Sequence, residues 1–387
     1  MLARTLLAVE RVVRRTPRYE PERVRHALIL EHMLPLGCLV HMTPVFEAIK
    51  LSAAQAGRQI DVVVATRGLG LQVLRHSPFV DHLIETPDPT RHLVSAVRSL
   101  RSQLRARGIR PDCAVTGVPD QRTRIALLGV LGCNAWRGGF TVHPELYHQP
   151  LTCDPSRGMI ANNLRLATLV GLGTQPQPTQ PRIFFSRSDA EAAAAMLRAA
   201  NPQARPVLVM VTQSSGGQRT NWHTERFARV IGHAAHVLGF AIVYVGTAAE
   251  APAIEAVRSA AGAIGVSLAG QTTVNQLAAV LAQSDFAVTL DTGPMHVARA
   301  VGLPMVVLGP SWQKPLEWLP LGVENARILR GEVRDTVPDG YRLDEISAEA
   351  VIAALGQLTQ AYPASQAARE GRLRAGLSQV DHLAPRP

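Results

Sequence analysis

The chain has 387 residues, 47% apolar and 18% charged, with a formal net charge of +10. At roughly 100–200 residues per domain this length predicts two domains, and the apolar fraction excludes wholesale disorder. Of the 40 basic residues only Lys50 and Lys314 are lysines, and neither follows a glycine-rich turn. That excludes a Walker-type phosphate loop and argues against a lysine Schiff base.

In chain order, residues 1–24 form a basic amino-terminal segment. Arg4, Arg11, Arg14, Arg15, Arg18 and Arg23 alternate with Leu6, Leu7, Val12 and Val13. The pattern reads either as a solvated helix or as a segment lying on an anionic membrane face. Arg4 and Glu10 interrupt the opening apolar stretch, so it makes a poor signal peptide. No apolar run reaches the ~20 residues of a membrane span.

Residues 25–175 read as a first α/β domain. Ala27–Leu30 is a buried strand, Leu36-Gly37-Cys38 a turn, and Leu39–Ala54 a helix. Further strands are expected at Ile60–Ala65, His82–Glu85 and Cys113–Thr116, with an arginine-rich helix near Leu93–Arg107 and another near Arg122–Leu131. Gly173–Pro181 holds three prolines in nine residues and reads as a linker. In the second domain, residues 176–362, strands are expected at Pro206–Val211, Phe240–Val245, Phe286–Leu290 and Met305–Leu308. Helices are expected near Thr224–Leu238, Val274–Gln283 and Ala348–Ala361, with a short one from Pro294. Residues 363–387 have little apolar periodicity and are expected to be a mobile tail. Alternating strands and helices predict two Rossmann-like domains, each with a parallel sheet whose carboxyl edge faces a shared ligand cleft.

Cys38, Cys113, Cys133 and Cys153 are too widely spaced for CxxC pairs, so they read as reduced thiols of a cytoplasmic protein. Aromatic residues are only 4% and no nucleic-acid-reading motif appears, which argues against nucleic acid as a partner. No GxGxxG follows either first strand, which argues against a dehydrogenase.

The most informative segment is Asp291-Thr292-Gly293-Pro294-Met295-His296, directly after a buried strand. Asp291 or Thr292 can cap the helix that follows, Pro294 suits its first turn, and Gly293 permits close approach of a ligand. Such a helix start suits a phosphate or diphosphate, and His296 is placed to donate to the same anion. A well-capped helix with no ligand is the plain alternative.

Residues Gln271 to Ser311, with Asn275-Gln276-Leu277-Ala278, Ser284-Asp285, Asp291–Ala298 and Gly302-Leu303-Pro304, resemble glycosyltransferase family 9, the heptosyltransferase family of lipopolysaccharide synthesis. Leu36–Pro44 looks like the family's amino-terminal turn and helix. Trp222 with Glu225-Arg226-Phe227-Ala228, and Pro310-Ser311 with Trp318 and Pro320, look like further family segments. The resemblance implies the GT-B arrangement and a nucleotide-sugar donor, an ADP-sugar in the best-known members, held mainly by the second domain. It further implies inverting transfer without a metal or other cofactor. A glycolipid or glycan acceptor is implied, with work done in the cytoplasm or at the inner face of the membrane.

Two positions depart from the family pattern. The residue after Gly37, commonly an aspartate base, is Cys38, and a thiol with a reference pKa of about 8.5 is a poor base at neutral pH. His41, three residues on, is the neighbouring candidate, with Glu31 and His32 as further options. The lysine usual two residues before the aligned tryptophan is Thr220, with Arg219 beside it. The polar loop before it, containing Ser214 and Ser215, offers backbone N–H groups to phosphate. The expected site is therefore Cys38 and His41 for chemistry, with Ser214, Ser215, Arg219, Thr220 and Asp291–His296 for the donor. An enzyme with a substituted base and a transferase-like binding protein without turnover both remain open.

Overall fold

The computed structural model describes residues 20–33, 35–173, 180–214, 221–311, 318–333, 336 and 340–384. The chain divides into two compact units, Met1–Pro181 with Val380–Pro387, and Arg182–Gln379.

The first unit is built on strands β1 (His26–Leu30), β2 (Asp61–Thr66), β3 (His82–Glu85), β4 (Cys113–Thr116), β5 (Trp136–Phe140) and β6 (Gln149–Leu151). All pair in parallel in the order β3-β2-β1-β4-β5-β6. The helices between them are α1 (Leu36–Gln55), α2 (Leu69–Leu74), α3 (Leu93–Ala106), α4 (Thr123–Gly132) and α5 (Met159–Leu164). Helix α1 is buried along most of its length and carries Pro44 in its interior. Proline has no N–H for the carbonyl four residues earlier, that of Val40. The Thr43 hydroxyl donates to that carbonyl at 2.8 Å, so the helix continues.

The second unit repeats the plan. Its strands are β7 (Val207–Val211), β8 (Ala241–Tyr244), β9 (Val266–Ser267), β10 (Phe286–Leu290), β11 (Met305–Leu308) and β12 (Ala326–Leu329). They lie in the order β12-β11-β10-β7-β8-β9, again all parallel. Its helices are α6 (Arg187–Ala200), α7 (Thr224–His236), α8 (Ala251–Ala260), α9 (Val274–Ala282), α10 (Gly293–Ala300), α11 (Ala348–Ala361) and α12 (Gln366–Gly376). Both sheets thus have Rossmann strand order, with the direction of winding reversing between β1 and β4 in one and between β7 and β10 in the other. Ligands of open parallel sheets bind outside the carboxyl ends at those reversal points. The expected α/β class is therefore found in each unit.

Three differences from the sequence reading have physical causes. Strand β5, not anticipated, has the sequence Trp-Arg-Gly-Gly-Phe, which breaks any apolar run. Arg137 is buried there because its Nε donates to the Leu146 carbonyl at 2.8 Å. Helix α6, also unanticipated, starts on a capping box in which Ser186 and Asp189 satisfy each other's backbone donors. The expected mobile tail is instead ordered over residues 363–384. Arg369 on α12 donates to both oxygens of Asp285 at 2.8 and 2.9 Å. Gly376 packs on Phe185 so closely that an added Cβ would stand 2.4 Å from its ring. Beyond it the chain joins the first unit, where Arg75 holds Asp381 and the His76 ring lies 2.7 Å from the Val380 carbonyl oxygen. Sparse apolar periodicity hid this segment because polar pairs fix it.

Candidate active site

In the second unit the reversal point is the end of β10. Its five residues are fully buried, and Asp291 and Thr292 follow at the sheet edge, themselves nearly buried. Thr292 is the N-cap of α10 in extended conformation, with Gly293 and Pro294 opening the helix as expected. The Thr292 hydroxyl makes no cap hydrogen bond and is buried without a partner among the described residues. The helix start therefore presents its dipole, an uncommitted hydroxyl and a glycine at one place. Met295 is fully buried and anchors α10.

His296 lies beneath this edge, its Nε2 3.8 Å from Asp291 Oδ1 and its ring edge-on to Trp318 at 6.3 Å between centroids. Burial, with Arg299 nearby, pushes the imidazole down to about 3. Burial alone pushes the Asp291 carboxyl up to about 6. At neutral pH the histidine is thus a neutral group, and positive potential at the edge comes from the helix rather than from an imidazolium.

Other residues singled out in this unit make internal hydrogen bonds. Asn275 donates to the Phe184 carbonyl at 2.9 Å, and Asp285 accepts the Val207 N–H at 2.8 Å. Trp222 is buried, donating to the Ile346 carbonyl at 3.0 Å. Ser214, just past β7, donates to Asn221 at 3.1 Å. Ser215, Arg219 and Thr220 lie outside the described residues. A cation that the sequence reading missed is Arg330, the residue after β12. Both of its terminal nitrogens are buried with no hydrogen-bond partner among the described residues. Strand β12 lies two places from β10, so Arg330 sits about 10 Å along the same sheet edge. Only its position at a strand end could have signalled it.

In the first unit the reversal point lies between the ends of β1 and β4. Glu31 and His32 follow β1, and Asp120 stands in the short turn Val118–Asp120 after β4. Asp120 Oδ2 accepts the backbone N–H groups of His32 and of Met33, the latter at 2.9 Å. Its Oδ1 accepts from Arg122. Cys38 lies in the first turn of α1, where burial, then the charges of Glu31 and Asp120, push its thiol up to about 12. A thiol so held stays protonated at neutral pH. His32 is pushed down to about 3 by burial and the nearby Arg122 and Arg67, with its Nε2 2.8 Å from Thr86 Oγ1. His41 is buried in α1, one turn beyond Cys38. Asp120 and Arg122 were not singled out from sequence because only the sheet order brings them to β1.

No group of three or more metal-ligating side chains occurs among the described residues.

The fold resembles solved structures closely. A glycosyltransferase family 9 protein from Veillonella parvula superposes with a TM-score of 0.75 at 19% identity, covering 87% of this chain and 98% of that one. The ADP-heptose lipopolysaccharide heptosyltransferase II of E. coli gives 0.72 at 20%, covering 88% and 100%. In sequence, lipooligosaccharide heptosyltransferase 2 of Haemophilus influenzae is 29% identical over 123 residues, 29% of this chain. That match spans about a third, 34%, of the relative's length. The sequence model described as glycosyltransferase family 9 (heptosyltransferase) matches residues 133–334, more than half of the chain. Leu36–Pro44 lies outside that match, whereas the Asp291–His296 edge lies within it, and the chain belongs to glycosyltransferase family 9.

Proposed function

We propose that this protein transfers a heptose-like sugar from a nucleoside-diphosphate donor, an ADP-sugar, to a hydroxyl of a lipopolysaccharide or related glycan. The reading has transfer proceed with inversion and without a metal. The observation that carries it is the carboxyl edge of β10, where the α10 start, the free Thr292 hydroxyl and Gly293 meet within the family-matched residues. In this reading the donor diphosphate lies on that edge. The acceptor oxygen attacks the anomeric carbon in line while the diphosphate leaves. Charge growing on the leaving phosphate is met by a fixed dipole and by the Arg330 guanidinium, which needs no reorganisation. Neutral His296 offers a hydrogen bond without a buried charge.

The acceptor side of the reading belongs to the first unit, with a peripheral place at the inner membrane face. Arg98, Arg101 and Arg105 are exposed on α3, and the last two line a cavity of about 1100 Å³ with Arg23 and Arg110. That basic surface suits anionic headgroups or phosphorylated glycolipid. No described helix is long and apolar enough to cross a membrane.

The second reading, donor binding without turnover, is favoured by the protonated Cys38 thiol alone. One experiment separates them: calorimetry with ADP-heptose and with UDP-, GDP- and TDP-sugars, alongside nucleotide release in the presence of glycan acceptor. Binding with acceptor-dependent release supports transfer. Binding without release across acceptors supports the second reading, and no binding removes both.

A further inference from the structure

We propose that Glu31 is the group that takes the proton from the acceptor hydroxyl. The proposal rests on the transfer reading and names a base other than the Cys38 thiol. Glu31 immediately follows β1 and Asp120 follows β4, so two carboxylates flank the reversal point of the first sheet. Their surroundings differ. Asp120 is committed, with one oxygen on two backbone N–H groups and the other on Arg122. Both Glu31 oxygens are buried, and no described group donates to either in ordinary hydrogen-bond geometry. A buried carboxyl without a donor is costly to keep, and a sugar hydroxyl is the kind of donor it lacks. Arg122, which donates to Asp120, has a side chain 37% exposed.

The charge distribution agrees with this assignment. Burial first, then Asp120, raises Glu31 well above the ordinary carboxylate range, against the opposing pull of the Met33 N–H and Arg122. Asp120 is also raised by burial but is held back by Arg122 and the His32 and Met33 N–H groups. The negative charge therefore settles on Asp120, and Glu31 keeps its proton to higher pH. Neighbouring carboxylates whose surroundings push them apart in this way take different roles in proton transfer. The groups facing Glu31 are Asp120, Arg122, the neutral Cys38 thiol and neutral His32, with Arg67 and Asp88 beyond His32. His41 competes less well, since each turn of α1 carries a side chain about 5 Å further from the sheet edge.

The step balances within the substrates. The acceptor oxygen forms a bond to the anomeric carbon, and its proton passes to a Glu31 oxygen. The bond from that carbon to the terminal phosphate oxygen breaks, and the nucleoside diphosphate leaves with the electron pair.

The test compares wild type, Glu31→Gln and Glu31→Asp in full-length protein. Donor affinity is read by calorimetry, kcat by nucleotide release across pH, and folding by thermal melting. Glu31→Gln should bind donor within about threefold of wild type and lose about a hundredfold to ten-thousandfold in kcat. Glu31→Asp should keep part of kcat and move the acid limb of its pH profile. Retained kcat in a folded Glu31→Gln protein, or an acid limb unmoved in Glu31→Asp, overturns the assignment while leaving transfer standing. Should Glu31→Gln fail to fold, the Glu31→Asp profile decides alone. A wild type that binds donor but turns over no acceptor removes the transfer reading and this proposal with it.

Discussion

His296 Nε2 and Asp291 Oδ1 stand 3.8 Å apart at the β10 edge, both almost sealed from solvent, and do not form an ion pair at neutral pH. Burial drives the imidazole down to about 3 and the carboxyl up to about 6. The folded protein therefore keeps the Asp291 proton to about pH 6, whereas the unfolded chain releases it near 3.8. Between those values the folded state holds more protons, so this group's contribution to stability falls as pH rises and is fully lost above about pH 6. Asp291→Asn should be stabilised relative to wild type at pH 7, by an amount on the order of 2–3 kcal/mol, and much less at pH 4. Thermal melts of both proteins at the two pH values check the sign. An Asn variant no more favoured at pH 7 than at pH 4 contradicts it.

Arg330 carries a charge with no described partner. Arg330→Gln should weaken ADP binding by about tenfold, the scale of one charge-assisted hydrogen bond, and leave the melting temperature unchanged or raised. Calorimetric titration with ADP measures the first and thermal melting the second. Unchanged affinity would place the guanidinium outside the phosphate site.

Thiol reactivity should rank by burial and ionisation. Cys38, held up to about 12, and the buried Cys113 and Cys133 should resist iodoacetamide at pH 8, while half-buried Cys153 is alkylated first. Peptide mass spectrometry over a time course reads the order. Fast labelling of Cys38 would show a thiolate that its surroundings do not favour.

Asp285 is buried and receives Arg369 from α12 as well as the Val207 N–H. Arg369→Ala leaves that carboxylate with too few donors and should cost about 2 kcal/mol or more. Truncation after residue 362 should cost more, since it also removes the Gly376 contact with Phe185. Denaturant melts of the two variants test this, and a truncated protein as stable as the full chain would mean that α12 contributes nothing.

Much of the architecture was legible in the chain itself. Runs such as Phe286–Leu290 and Met305–Leu308 are β-branched or apolar throughout, as strands buried on both faces must be, and the structure keeps both. The helix start at Thr292–Pro294 was legible too, because capping and first-turn preferences act over a few adjacent residues. Strand β5 was missed for the converse reason, since its Arg137 is made tolerable by a carbonyl nine residues away.

What the sequence by itself determined was therefore the local content: strand runs, helix starts, the two-unit plan and the β10 edge. Only the tertiary structure decided which charges meet and in what protonation state. Asp120 stands 88 residues from His32, whose N–H it accepts, and Arg369 stands 84 residues from Asp285. Strand order brings those groups together, and no local pattern encodes it. Burial then changes the chemistry, holding the Cys38 thiol protonated and the Glu31 carboxyl well above its ordinary range, because the cost of charge depends on the surrounding atoms rather than on residue type.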